Sequence, residues 1–190
     1  MYAGASSGPL SLVELDRIRN PARPDWPAQL CTEATLNDLA PEAIAVARDK
    51  YREKHPRLAD QMDGWSDAVF LNKAKVTIDS KITRTAILLL GREESAYFIS
   101  PAQARMSWLL KDSDGIEKDY HHFGPPFLLN TEALFAKVRN LTYRYLRDNT
   151  LFPTEISQYD PGVIRELLHN CITHQDYTLN QSCPICNQLI

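Results

Sequence analysis

The stretch Ala104-Arg105-Met106-Ser107-Trp108-Leu109-Leu110-Lys111-Asp112-Ser113-Asp114-Gly115-Ile116-Glu117-Lys118-Asp119-Tyr120-His121 decides the fold. Two strand-like runs, 104–110 and 116–121, bracket Asp112-Ser113-Asp114-Gly115, the strongest hairpin signal in the chain. A second, shorter turn at Asp79-Ser80 separates Lys75-Val76-Thr77-Ile78 from Lys81-Ile82. Between and around these turns the apolar spacing is helical. Helices separated by hairpins predict an α+β fold, with helices packed on a small antiparallel sheet.

Working outward, Pro41 opens a helix over 41–54, with Ile44, Ala47 and Tyr51 on one face and His55-Pro56 ending it. A short helix is expected before Gly64 and another over 66–74. Thr83 should cap a buried helix running to Leu90, with Gly91 as its stop. Phe127, Thr131, Leu134, Val138, Leu141 and Tyr145 alternate steps of four and three, which predicts one helix over 127–145 whose stripe packs into the core. Residues 152–157 read as a strand. Near the start, Ser11 and Glu14 form a capping box for a helix over 11–19, and Pro21, Pro24 and Pro27 then interrupt it. Trp26 should anchor that loop on the body.

Bulk properties narrow the classes of function. With 44% hydrophobic residues the chain can bury a sizeable core, and a formal net charge of −3 gives no overall drive toward DNA or a membrane. Arg105, Lys111, Lys118, Lys137, Arg139, Arg144 and Arg147 are spread among acids and read as a solvated surface. Apolar runs such as Ala86-Ile87-Leu88-Leu89-Leu90 are far short of the ~20 residues of a membrane span. No signal peptide is visible. Four cysteines without a secreted framework point to a reducing compartment, so the expected location is cytoplasmic.

The chemistry-bearing stretch is Tyr159-Asp160-Pro161-Gly162-Val163-Ile164-Arg165-Glu166-Leu167-Leu168-His169-Asn170-Cys171-Ile172-Thr173-His174-Gln175-Asp176-Tyr177. Asp160 reads as an N-cap and Pro161 as the first helical position. At ~100° per residue, Ile164, Leu167, Leu168 and Cys171 share one arc, and Glu166 and Asn170 share a roughly opposite one. A carboxylate one turn from an amide can orient a water and hold Mg2+ beside a phosphate. The same pattern also suits an ordinary solvated face, where it is common.

Arg-Glu-x-x-x-Asn-x-x-x-His-x-Asp-Tyr after a Tyr-Asp-Pro helix start resembles the signature of bacterial RecG-like transcriptional regulators. Three other segments fit the same family: Phe70-Leu71-Asn72-Lys73-Ala74-Lys75, Ile82-Thr83-Arg84-Thr85-Ala86-Ile87-Leu88-Leu89-Leu90-Gly91 and Phe123-Gly124-Pro125-Pro126-Phe127. Such proteins join a Schlafen/AlbA-type DNA-binding domain to a region resembling GHKL-type ATPases. The resemblance runs from about Leu12 to Leu179. It implies a flexible tail at 1–10 that is a vestige of the preceding domain, an α+β middle segment at 11–150, the start of the ATPase-like region at 151–179 and a divergent tail at 180–190.

By that resemblance, Glu166 would be catalytic, orienting water for phosphate-anhydride hydrolysis, and Asn170 would bind the cofactor by holding Mg2+ on ATP. The relative's helicase-type label finds no P-loop here. An Asp-x-Gly-x-Gly segment and a glycine-rich lid are also missing: thirteen residues follow Tyr177, none of them Gly. The chain is therefore expected to be a fragment without activity alone, with DNA reached through a domain outside it and self-association left open. The rival expectation is an interaction or scaffold module with degenerate ATPase features.

Two further motifs carry less. Cys171 and His174, with Cys183 and Cys186, have plausible zinc spacing, but Cys171 lies on the apolar arc and zinc is not expected. Cys183 and Cys186 should be free thiols in a mobile segment. His121 and His122 are neighbours on a strand, so they face opposite ways and make a poor metal pair; one should be packed and one exposed.

Overall fold

The structure, a computed structural model, describes residues 25–146 and 151–179, the backbone of 183–188, and Leu12 and Leu15. Leu12 and Leu15 are helical. The rest of the expected 11–19 helix, its capping box, the 1–10 tail, Pro21, Pro24 and Arg147 lie outside the described residues. The architecture is α+β.

Helix α1 (Pro41–Lys54) starts at Pro41, whose missing N–H costs nothing in a first turn, and buries Ala43 and Ile44. A short α2 (Ala59–Met62) precedes Gly64. Helix α3 (Asp67–Lys73) is capped by Ser66, whose hydroxyl accepts from Val69 N–H at 3.4 Å, and it buries Phe70 and Leu71. Strands β1 (Thr77–Ile78) and β2 (Lys81–Ile82) pair across Asp79 and Ser80, both with positive φ, as the twist of a two-residue hairpin demands.

Helix α4 (Arg84–Leu90) forms the centre of the core. Thr83 caps it by accepting from Ala86 N–H at 3.2 Å, and Ala86 and Ile87 are wholly buried. Gly91 does end it, but not through a left-handed conformation: its backbone is extended, at φ −63° and ψ 146°. Glycine is required because a Cβ there would stand 2.4 Å from the Ile87 carbonyl oxygen. That close approach lets Gly91 bridge Leu39 while Ala40 N–H donates to Leu90 O at 2.7 Å.

Strands β3 (Met106–Lys111) and β4 (Glu117–Phe123) form the expected hairpin, with Trp108 opposite His121. Its turn is held by the Asp112 carboxylate, which accepts from Asp114 N–H at 3.0 Å and Ile116 N–H at 2.8 Å and pairs with Lys118 at 2.9 Å. These bonds, Lys118 first, hold the Asp112 carboxyl below its usual range. Gly115 adopts φ +78° in that turn.

The tail departs from expectation. Cys183–Gln188 is a strand, β7 in chain order, laid parallel to β3 with Met106 opposite Cys183. Its backbone completes a three-stranded sheet in the order β4-β3-β7 rather than standing free. The edge of β3 offered unpaired backbone groups, and an extended run of β-tolerant residues satisfies them.

A second departure concerns residues 127–145. Helix α5 spans only Phe127–Lys137, burying Phe127, Thr131 and Leu134. The Val138 backbone turns extended, and Thr142–Leu146 becomes β5, antiparallel to β6 (Pro153–Ser157). Asn140 fixes this switch: its amide donates to Tyr159 O at 2.8 Å and accepts from Tyr159 N–H at 3.0 Å, clamping the base of the ribbon. Thr142, Tyr143 and Tyr145 are strand formers, and here their pairing outweighs the helical stripe. The expected junction at 150/151 falls in the connection between β5 and β6. Among the described residues no helix is long and apolar enough to cross a membrane.

Candidate functional site

Helix α6 (Pro161–His174) carries the predicted site. Asp160 caps it, accepting from Gly162 N–H at 2.6 Å and Val163 N–H at 3.4 Å. The helix packs on α5 through Ile164 and Leu168, both buried, with Ile172 half-buried one turn on. The buried strip is narrower than the predicted arc. Leu167 is 59% exposed and Cys171 only half-buried. A single neighbouring helix covers positions four apart, 164, 168 and 172, and leaves 163 and 167 to one side.

Glu166 and Asn170 are both exposed on the side of α6 away from that strip. The structure therefore brings the two predicted residues together, one turn apart, facing solvent. Neither side chain has an ion pair or hydrogen bond among the described residues. His174, the last helical residue, is exposed and stands where a cation meets the negative end of the helix dipole.

The docked side carries a charged latch that the sequence reading missed. The Arg165 guanidinium makes a two-pronged pair with Glu132 of α5, at 3.3 and 3.2 Å, and lies 3.9 Å over the Phe135 ring. The Arg165 hydrogen bond is the main cause that holds the Glu132 carboxyl below its usual range, with Lys50 and His169 adding to it electrostatically. An Arg on α6 and a Glu on α5, each at the flank of an apolar strip, were the available signal.

Asp176 and Tyr177 serve the architecture. Tyr177 is buried, donates its hydroxyl to Ile172 O at 2.8 Å, and stacks on Trp26 with ring centroids 5.3 Å apart. The Arg84 guanidinium lies 4.7 Å from the same indole. Trp26 thus anchors its loop, as expected, on the exit of α6. Asp176 accepts from Thr178 N–H at 2.9 Å and so shapes the turn after the helix.

Among the described residues no three His, Cys, Asp or Glu side chains are grouped to hold a metal ion. His121 and His122 are both exposed, contrary to the expectation that one is packed. His122 still has a partner, since its Nδ1 lies 2.9 Å from the hydroxyl of buried Ser107. Cys31 is the buried thiol of the core, and desolvation pushes its pKa up.

Comparison with known proteins gives a family match and a structural likeness. A family model described as a domain of unknown function (DUF8451) matches residues 17–105, the part that ends before β3. The fold is similar to that of the DIP2311 protein from Corynebacterium diphtheriae, at 22% identity and a TM-score of 0.58 over 93% of this chain. The chain spans 32% of that protein's length. No curated protein matches. What these likenesses establish is an α+β fold shared with part of a longer solved chain.

Proposed function

We propose that this chain is the middle segment and first ATP-box helix of a RecG-like, ATP-binding transcriptional regulator that acts on DNA through a domain outside it. The observation that carries this reading is the pair Glu166 and Asn170, held one turn apart on the open side of a docked helix with both side chains unengaged among the described residues. An amide oxygen so placed suits Mg2+ on a polyphosphate, and a carboxylate beside it suits the attacking water. Adenine recognition and a phosphate lid would come from elsewhere in the intact relative. Alone, the chain should hydrolyse no measurable ATP and bind it at best in the millimolar range.

Amide NMR of the isolated chain titrated with ATP and Mg2+ tests this. Weak shifts confined to the exposed side of α6, lost without Mg2+ and in Asn170→Ala or Glu166→Ala, support the reading. No shift at saturating nucleotide, or shifts elsewhere, would overturn it.

A second reading, an interaction module with degenerate ATPase features, draws on a different observation. Tyr143, Leu146, Ile156, Val163 and Leu167 are exposed apolar side chains of β5, β6 and α6. Sedimentation separates the two: self-association abolished by Leu167→Ser together with Ile156→Ser favours the module.

A further inference from the structure

A cleft of about 430 Å³ opens between α1, α3, α4 and α5. Tyr51, Phe70, Leu71, Val76, Leu89 and Leu128 give it walls of almost unbroken hydrocarbon. Its size falls in the range of small-molecule sites. A smaller cavity of about 210 Å³ adjoins it, sharing Lys50, Leu89 and Leu128 as walls.

The charged side chains that line this cleft are of one sign. Lys50 and Lys54 both line it, one turn apart on α1, and both are exposed. Like charges at this helical spacing repel. No carboxylate relieves them: among the described residues neither lysine has an ion-pair partner. The acid nearest in effect, Glu132, acts electrostatically with Lys50 but is already bonded to Arg165. Two exposed lysines without an ion-pair partner among the described residues thus line an apolar slot.

We propose that this cleft binds a small amphipathic carboxylate, its aliphatic tail among Tyr51, Phe70 and Leu89 and its head group between Lys50 and Lys54. The chemistry selects that class. A nucleotide's phosphates could meet the lysines, but its ribose would lose its water against these walls without gaining partners. A wholly apolar ligand would leave the lysine repulsion in place. The site is distinct from Glu166 and Asn170 and does not depend on the nucleotide reading.

Calorimetry on the intact chain decides the matter, using sodium decanoate below its micelle-forming concentration. One molecule should bind per chain, and Lys50→Gln with Lys54→Gln should weaken it roughly tenfold, as loss of two solvent-facing charge contacts would. Decan-1-ol should bind more weakly by a similar factor, and decyltrimethylammonium not at all. Ala47→Leu, which narrows the cleft without touching the charges, should also weaken decanoate. The proposal is overturned by an absence of binding, by several molecules per chain, by equal affinity for the alcohol, or by an unaltered affinity in the doubly substituted chain. Capture by anionic lipid vesicles without binding of monomeric decanoate would also overturn it, because the cleft would then be a membrane contact.

Discussion

Truncating Leu168 and Leu167 one at a time tests which side of α6 holds it to the body. Leu168 is 3% exposed and belongs to the core, whereas its neighbour Leu167 is 59% exposed. Leu→Ala removes three carbon groups at roughly 0.8 kcal/mol each, about 2.4 kcal/mol of transfer free energy for Leu168. A cavity contribution comes on top, and it is small where one helix can settle onto its neighbour. Leu168→Ala should therefore cost about 2–3 kcal/mol, near the lower end for buried leucines. For a chain of this size that lowers the melting temperature by roughly 5–10 °C. Leu167→Ala should stay within about 0.5 kcal/mol. Urea unfolding followed by far-ultraviolet circular dichroism, with slopes checked for equality, measures both. Equal losses, or a larger loss at Leu167, would refute the docking of α6 through positions 164 and 168.

Two other outcomes follow from the geometry. Gly91→Ala should destabilise by about 1–3 kcal/mol, the usual cost of forcing atoms into a closed site, because its Cβ meets the Ile87 carbonyl oxygen at 2.4 Å; a melting point equal to the parent's would contradict that contact. The lowered Glu132 pKa implies stability that is complete above the ordinary glutamate pKa and lost as pH falls through the lower folded value. Because Glu132 and Arg165 are each 40–49% exposed, the effect should be under about 1 kcal/mol. Glu132→Gln should flatten that part of the acid-unfolding curve, leaving the part due to Asp112, and an unchanged curve would show the pair to be idle.

The elements that local chemistry specifies were legible from sequence. Ser66, Thr83 and Asp160 each cap a helix through a side-chain oxygen and backbone donors two or three residues on, so nothing distant is needed to read them. The turns at Asp79-Ser80 and Asp112–Gly115 were equally self-contained. Elements that depend on distant partners were not. Val138, Leu141 and Tyr145 keep helical spacing by coincidence, and the pairing of β5 with β6 overrides it. The strand at Cys183–Gln188 exists because β3 has a free edge, which no local pattern announces. At the site, the 3.6-residue period placed Glu166 and Asn170 together and facing out. It could not show that Leu167 lies beyond the reach of α5, since that depends on how wide a strip one neighbour covers. Nor could it show the Arg165–Glu132 latch, which needs two helices docked in a particular register.

The contact between Trp26 and Tyr177 joins the loop before α1 to the turn after α6. Closing so long a loop adds little entropy beyond that of a shorter one, because the cost rises only with the logarithm of length. In time, however, it is costly, because contacts between residues distant in sequence slow folding. Until that contact forms, the indole has Arg84 beside it but no ring to stack on. Trp26 is therefore a marker for the seating of the C-terminal helix, because its indole meets the Tyr177 ring only once α6 has docked.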